Sequence, residues 1–237
     1  MTARITMPAT TTENPREPSR APRVLTFTVL AFVAIFSLAA AAYPGGTHFD
    51  HASVGHDFWL NTMCDVTRSF ALDGRPNSLG STLASLAMIV LAAGLGVTFA
   101  LLPRLFGARR RTARAVRALG TVSALGAVAV VLLPSDRFGS LHGLAIVCAA
   151  IPGLAASLLA LVAVLRERRS ARAVTGLGGL ALGVAAVDFA LYVSELASGG
   201  ASQMAVSVLE RLATALLLAW MLAIARETAA IQRPPRG

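Results

Sequence analysis

The residues best suited to chemistry lie in one polar stretch, between Tyr43 and Asn77, which reads YPGGTHFDHASVGHDFWLNTMCDVTRSFALDGRPN. It holds three of the four histidines and four of the twelve acidic residues. Imidazole and carboxylate groups bind zinc, and a catalytic zinc site keeps one position for water. His48, His51 and the distant His142 are therefore candidate zinc ligands. Their spacing matches none of the sharp zinc motifs, so surface and packing roles stay open.

A second set of polar residues lies inside apolar stretches, where a charge costs a few kcal/mol unless it has a partner or a task. Asp188, Tyr192 and Glu195 recur at i, i+4 and i+7, and therefore share one helix face. Glu210 and Arg211 are adjacent in a later apolar stretch. If the protein is an enzyme, Asp188 or Glu210 is the candidate catalytic residue. Arg211, Tyr192 and Glu195 are candidate ligand-binding residues.

Asp136 and Arg137, which come shortly before His142, complete the candidate ligand-binding set. Two interpretations of these polar groups are open. In the structural one, Arg211 neutralises Asp188 or Glu210 and fixes how the helices align. In the functional one, the same groups line a cavity that opens on one side of the membrane.

The elements that must position these residues are membrane helices. The chain has 237 residues, of which 55% are hydrophobic and 14% charged, too few charges for an ordinary soluble domain. Six apolar stretches can each cross a hydrocarbon layer of ~30 Å as a helix. The sequence therefore predicts an all-α, polytopic integral membrane protein with six transmembrane helices. Their predicted ranges are about 24–43, 79–102, 118–133, 141–165, 175–196 and 204–225.

Arginine placement predicts the orientation of these helices. The chain has no lysine, and the 104–117 stretch has six arginines and no acid. By the positive-inside rule this stretch and both termini are cytoplasmic. The expected organisation is a disordered cytoplasmic tail (1–22), a six-helix domain (23–226) with an extracytoplasmic loop (44–78), and a second cytoplasmic tail (227–237). The basic residues then indicate a bacterial inner membrane and contact with membrane lipids, with no nucleic-acid partner.

Small residues in the fifth stretch predict how that helix packs. Gly176, Gly179 and Gly183 recur every three or four residues and therefore form a track along one helix face. Such tracks let a neighbouring helix approach closely in membranes. We expect this face to pack against another helix of the bundle.

The segments YPGG, FWLNTMCD, LLPSDRFGSLHGLA and VLERLATALLLAW resemble a known family. The chain is similar, from Arg23 onward, to bacterial six-helix membrane proteins classified as a domain of unknown function, and more distantly to frag/DRAM/Sfk-type eukaryotic membrane proteins. The resemblance implies six helices and a polar site on the outer side. Some eukaryotic relatives are linked to lipid or GPI-anchor remodelling. The motif residues are Pro134, Asp136, His142, Glu210 and Arg211.

Three functions remain in view. The sequence favours a multi-pass protein whose outward polar cavity binds a lipid headgroup or a small polar ligand. The first alternative is a metal-assisted lipid amidase or esterase, since the chain also resembles, more weakly, membrane-embedded ceramidase-like hydrolases. That family builds a zinc site from histidines, an aspartate and a serine, whereas this chain has one histidine in a helix. The second alternative is a proton-coupled carrier in which Asp188, Glu195 and Glu210 relay protons.

Overall fold

The computed structural model describes residues 20–106, 110–167, 171–198 and 203–232. Within these ranges the regular structure is helical, and β-structure is limited to two isolated bridges. Most of the predicted disordered tail, 1–22, and the end of the tail 227–237 lie outside the described residues. The helices are α1 (Ala21–Ala41), α2 (Met63–Thr67), α3 (Ser78–Leu101), α4 (Arg110–Leu132), α5 (Ser135–Phe138), α6 (Ser140–Leu165), α7 (Arg172–Ser198) and α8 (Gln203–Ile231).

Six of these helices, α1, α3, α4, α6, α7 and α8, are long and apolar enough to cross a membrane. The prediction of an all-α fold with six membrane-spanning helices is confirmed. Residues 42–77, here called the loop cap, cover one end of the bundle, which we name the loop face. The opposite end carries the arginine-rich connections and is named the arginine face.

Several helices extend beyond the apolar stretches that predicted them. α4 begins at Arg110 rather than near Ala118, and α8 continues to Ile231 rather than ending near Ala225. Hydropathy reports the portion of a helix that matches the hydrocarbon layer. The backbone hydrogen bonds continue into the polar turns, because arginine and alanine both favour helix.

The six long helices pack as a closed ring in the order α1, α3, α4, α6, α7, α8, and α8 packs back against α1. The contact between α6 and α7 is the least extensive in this ring. The main apolar core lies mostly in the half of the bundle nearest the arginine face. It includes the buried side chains of Leu25, Phe106, Leu161, Trp220 and Ile224.

The glycine track of α7 does not pack as predicted. Gly176, Gly179 and Gly183 do not lie against a neighbouring helix, because a Cβ added at any of them would have no atom within 4 Å. Gly178 faces the bundle instead, where a Cβ would lie 2.7 Å from Leu161 Cδ2. The prediction was wrong because small residues occur on more than one face of α7, and their spacing does not reveal which face meets protein.

Candidate functional site

The loop cap is built around a short helix and a tight chain crossing. α2 begins with a capping box: Thr62 Oγ1 accepts from Asp65 N at 3.2 Å, and Asp65 Oδ2 accepts from Thr62 N at 2.7 Å. Gly46 has a left-handed φ of 86°. A Cβ there would collide with the backbone of Leu72 and Asp73, so the crossing requires glycine.

Arg211 anchors the loop cap to α8. Its side chain is buried, with Nε donating to Phe58 O at 3.0 Å and Nη2 to Asn61 O at 2.7 Å. Nη2 also lies 3.3 Å from His56 Nε2. The guanidinium stacks 5.7 Å from the Phe36 ring and 5.4 Å from the Phe58 ring. The structure therefore places Arg211 under the cap backbone, and within the described residues it forms no salt bridge with the acids of α7 or α8.

Two further side chains on the same portion of α8 hold the cap. Ser207 Oγ donates to Leu60 O at 3.2 Å, and Glu210 Oε2 accepts from Met63 N at 2.9 Å. The Met63 bond supplies a partner for one of the free N–H groups at the start of α2. Glu210, a candidate catalytic residue, thus also fixes the position of α2.

Asp136 anchors the cap from α5. Its Oδ2 accepts hydrogen bonds from Ser69 N at 2.9 Å and Phe70 N at 3.3 Å. The neighbouring Arg137 is exposed, and its side chain forms no ion pair with any described residue. Neither of these two candidate ligand-binding residues lines the cavities described next.

A cavity of about 350 Å³, here called the polar chamber, lies between the loop cap and the adjacent ends of α6, α7 and α8. Predicted site residues from the cap and from three separate helices lie together in its lining. Residues of the cap that were not predicted complete the lining. The titratable side chains that line it are His48, Cys64, Asp65, Arg68, His142, Tyr192, Glu195 and Glu210.

A second cavity of about 330 Å³, here called the apolar chamber, lies deeper among α3, α4, α6, α7 and α8. Its walls are mostly aliphatic, aromatic or small side chains, with Asp188 and Glu210 as its acids. A smaller cavity of about 160 Å³ between α6, α7 and α8 also contacts both acids. The polar and apolar chambers share four lining residues, which we call the neck: Cys64, Ile146, Tyr192 and Glu210.

His48 and Asp65 form a hydrogen-bonded pair in the wall of the polar chamber. His48 Nε2 lies 3.1 Å from Asp65 Oδ1. Burial alone would raise the pKa of Asp65, but the hydrogen bonds from His48 and Thr62 outweigh it and hold this pKa below its ordinary value. Asp65 is therefore a carboxylate near neutral pH, with both oxygens already bonded.

Two acids that line the cavities, Asp188 and Glu195, have an oxygen without such a partner in the described part of the chain. Asp188 Oδ1 and Glu195 Oε1 are buried atoms with no hydrogen-bond partner among the described residues. Asp188 lies ten positions before the end of α7, about 15 Å inside the helix, whereas Glu195 is within its last turn. Buried polar atoms are nearly always paired, so unpaired ones that line a cavity point to a missing partner.

Arg68 supplies the cationic guanidinium of the polar chamber. Its Nε donates to Phe70 O at 3.3 Å, which is the one hydrogen bond of this side chain within the described ranges. No ion pair involves it there. The two terminal nitrogens of the guanidinium therefore remain available to a ligand.

The three candidate zinc ligands have separate partners. His51 Nδ1 donates to Leu72 O at 2.9 Å, and His142 Nδ1 donates to Leu133 O at 2.6 Å. His48 and His142 line the polar chamber, but His51 does not. No group of three or more histidine, cysteine or acidic side chains is placed to hold a metal ion within residues 20–106, 110–167, 171–198 and 203–232.

The two cysteines are free thiols in different surroundings. Cys64 is half-buried in the neck, and Cys148 is exposed on α6. Burial, and then the nearby Glu210 and Asp65, raise the pKa of the Cys64 thiol well above its ordinary value. A thiol with a raised pKa is a poor nucleophile.

His56 is the histidine that contacts Arg211. Burial, reinforced by the Arg211 charge, lowers the pKa of His56 to about 4. The ring is therefore neutral near pH 7, and its Nε2 accepts the hydrogen bond from Arg211. Nothing in the sequence distinguishes this histidine from the other two in the cap.

Asp65, Arg68 and Cys64 are chamber residues that the sequence analysis did not select. One signal was present: Thr62 followed three positions later by Asp65 is a capping-box pattern. The helix in this part of the cap starts at Met63, directly after the capping residue Thr62, and Phe58 and Trp59 lie in the preceding turn.

Comparisons of the chain with protein-family models, with curated proteins and with solved structures found no match.

Proposed function

We propose that this protein binds a membrane amphiphile, with the headgroup in the polar chamber and an acyl chain in the apolar chamber. The observation that carries the proposal is the neck, because it joins a chamber lined by charged groups to one with apolar walls. A small polar ligand would need only the first chamber. Each chamber falls within the ~300 to 1,000 Å³ typical of ligand pockets.

The sparse contact between α6 and α7 supports a route for such a ligand. Both helices line the apolar chamber, and Leu154, Ser157, Ala185 and Asp188 line both it and the smaller cavity beside it. A lipid chain entering from the bilayer must push a pair of neighbouring helices apart, and α6 and α7 have the least contact to lose.

The proposed setting is the bacterial inner membrane, with the polar chamber on the extracytoplasmic side. Support comes from Arg104, Arg110, Arg111, Arg166 and Arg172, which lie at or next to helix ends on the face opposite the loop cap. Positive residues are retained on the cytoplasmic side of such membranes. The chamber would then receive ligands from the outer leaflet.

The test uses Cys64 as a reporter of ligand in the neck. In a Cys148→Ala variant purified in detergent and kept at alkaline pH, where enough of the weakly acidic Cys64 thiol ionises to react, we expect a lysophospholipid to slow modification of Cys64 by an apolar maleimide. At about ten times the half-protecting concentration the rate should fall about tenfold. The control is a Cys64→Ala variant, in which Cys148 on the outer surface should react at an unchanged rate. Equal rates at Cys64 with and without lipid would refute the proposal.

A second candidate function is a proton-coupled carrier, which the unpaired Asp188 Oδ1 within the bundle favours. Carriers use intramembrane acids as proton relays. A relay predicts proton uptake or release when the lysophospholipid binds, measured with an indicator dye in weakly buffered solution. The change should disappear in Asp188→Asn. Binding with no proton exchange in the native protein would exclude this candidate.

A further inference from the structure

We infer that the ligand's headgroup carries both a phosphate and an ammonium group. This inference rests on the proposed function and names the chemical class of the amphiphile. It follows from the charged groups of the polar chamber that are left without partners among the described residues. Those groups are one guanidinium and one carboxylate, from Arg68 and Glu195.

Arg68 supplies the contact for the phosphate. Arg68 lines the chamber, and its terminal guanidinium nitrogens bond no described residue, whereas its Nε donates to Phe70 O. Guanidinium groups bind phosphate through parallel hydrogen bonds, which gives both strength and orientation. Arg68 follows α2 directly, at its C-terminal end. The headgroup phosphate would therefore lie under the loop cap.

Glu195 on α7 supplies the contact for the ammonium group. Its side chain makes no hydrogen bond or ion pair to any residue the structure describes, and its buried Oε1 lacks a partner. An ammonium group has three N–H donors and no acceptor, so it can satisfy such a carboxylate. The position of Glu195 in the last turn of α7 suits a headgroup rather than a lipid chain.

The other carboxyl and imidazole groups of the chamber are already engaged. Asp65 is bonded to His48 and to Thr62 N, and Glu210 accepts from Met63 N. His142 donates from Nδ1 to a backbone carbonyl. A purely anionic headgroup would satisfy Arg68 but face the Glu195 carboxylate, and a purely cationic one would leave Arg68 unpaired. A zwitterionic phosphate and ammonium pair satisfies both.

The experiment compares probes of equal chain length by Cys64 protection in the Cys148→Ala protein. The probes are phosphatidylethanolamine, phosphatidylglycerol, a long-chain alkylamine and diacylglycerol. Because each charge-assisted hydrogen bond lost weakens binding about tenfold, phosphatidylethanolamine should protect at about one tenth the concentration of phosphatidylglycerol or the alkylamine, and at about one hundredth that of diacylglycerol. Soluble glycerophosphoethanolamine, which has the headgroup without chains, separates a lipid from a free headgroup as the source of binding.

Two variants assign each half of the headgroup. Glu195→Gln should weaken phosphatidylethanolamine about tenfold and should not weaken phosphatidylglycerol, whose anionic headgroup no longer faces a carboxylate. Arg68→Gln should weaken both phospholipids and leave the alkylamine unchanged. The matched control for Glu195→Gln is Glu227→Gln, which lies near the arginine-face end of α8. The matched control for Arg68→Gln is Arg137→Gln, in α5. Both controls should bind all probes as the parent does, and thermal melts check that every variant is folded.

The outcomes separate this inference from the proposed function. Protection by all lipids with no headgroup preference would overturn the inference and leave amphiphile binding intact. Glu195→Gln weakening every probe equally would also overturn it, since that pattern indicates a structural role. No protection by any lipid would end both proposals. Protection by glycerophosphoethanolamine as strong as by the lipid would keep the headgroup chemistry and remove the amphiphile.

Discussion

The two halves of the bundle are built differently although the same six helices form both. Toward the arginine face, large side chains such as Phe106, Trp220 and Met221 are buried in one contiguous core. Toward the loop face, the helices enclose two chambers and several charged groups. The packed half accounts for stability through apolar contacts, whereas the open half depends on hydrogen bonds to the cap. The site therefore lies where the helices pack least.

The largest expected loss of stability comes from removing Arg211, which anchors the loop cap to α8. Arg211→Met removes two hydrogen bonds to cap carbonyls and leaves Phe58 O and Asn61 O without these donors. Stability should fall by about 3 kcal/mol, measured by thermal unfolding in detergent, and proteases should cut the cap faster. Arg137→Met removes an exposed arginine of the same face and should have little effect. If the two variants unfold at the same temperature, contacts other than those of Arg211 hold the cap on the bundle.

An alanine-to-phenylalanine substitution made once in each half should have an intermediate effect, because the packed core has no room for the ring and the apolar chamber has. Ala160 is fully buried in the core, and Ala185 lines the apolar chamber. Ala160→Phe should cost about 3 kcal/mol through overpacking, whereas Ala185→Phe should cost less than about 1 kcal/mol. Ala185→Phe should also weaken long-chain lysophospholipids more than short-chain ones in the Cys64 assay. Equal destabilisation at the two positions would mean that the chamber is closed in solution.

The smallest effect is a pH dependence confined to the open half. The pKa of His56 is about 4 in the folded cap, against 6.5 for an ordinary histidine. Between these pH values His56 binds a proton when the cap is released from α8 but not when the cap is bound to it. The free energy that holds the cap on the bundle therefore falls as the pH decreases from about 6.5 to about 4. After allowance for partial solvent exposure, the loss at about pH 5 is near 1 kcal/mol.

Hydrogen exchange of the cap amides measures this dependence. In the native protein, exchange relative to the intrinsic rate should rise as the pH is lowered, while the packed half stays protected. His56→Gln keeps an acceptor for Arg211 but does not titrate, and it should flatten the profile. An unchanged profile in this variant would refute His56 as the source of the acid sensitivity.

Hydropathy and arginine spacing were enough to predict six helices and a polar segment gathered at one end. They also selected Asp188, Glu195 and Glu210, because a charge in an apolar stretch is visible without coordinates. They did not predict that Arg211 bonds backbone carbonyls of the cap, since carbonyl acceptors carry no sequence signal. The prediction that the Gly179 track packs against another helix was wrong for a similar reason. Lipid and protein are both apolar surroundings, so the sequence does not show which of them this face contacts.

The bonds of Arg211 also set an order of assembly. Its partners, Phe58 O and Asn61 O, are separated from it by 153 and 150 positions in the chain. During synthesis the cap emerges after α1, but its anchor is made only with α8. Until α8 is in the membrane, the cap lacks its hydrogen bonds to Arg211 while the helices between them are already made. Because these bonds need both the cap and α8, we expect the polar chamber to be completed only after α8 is in place.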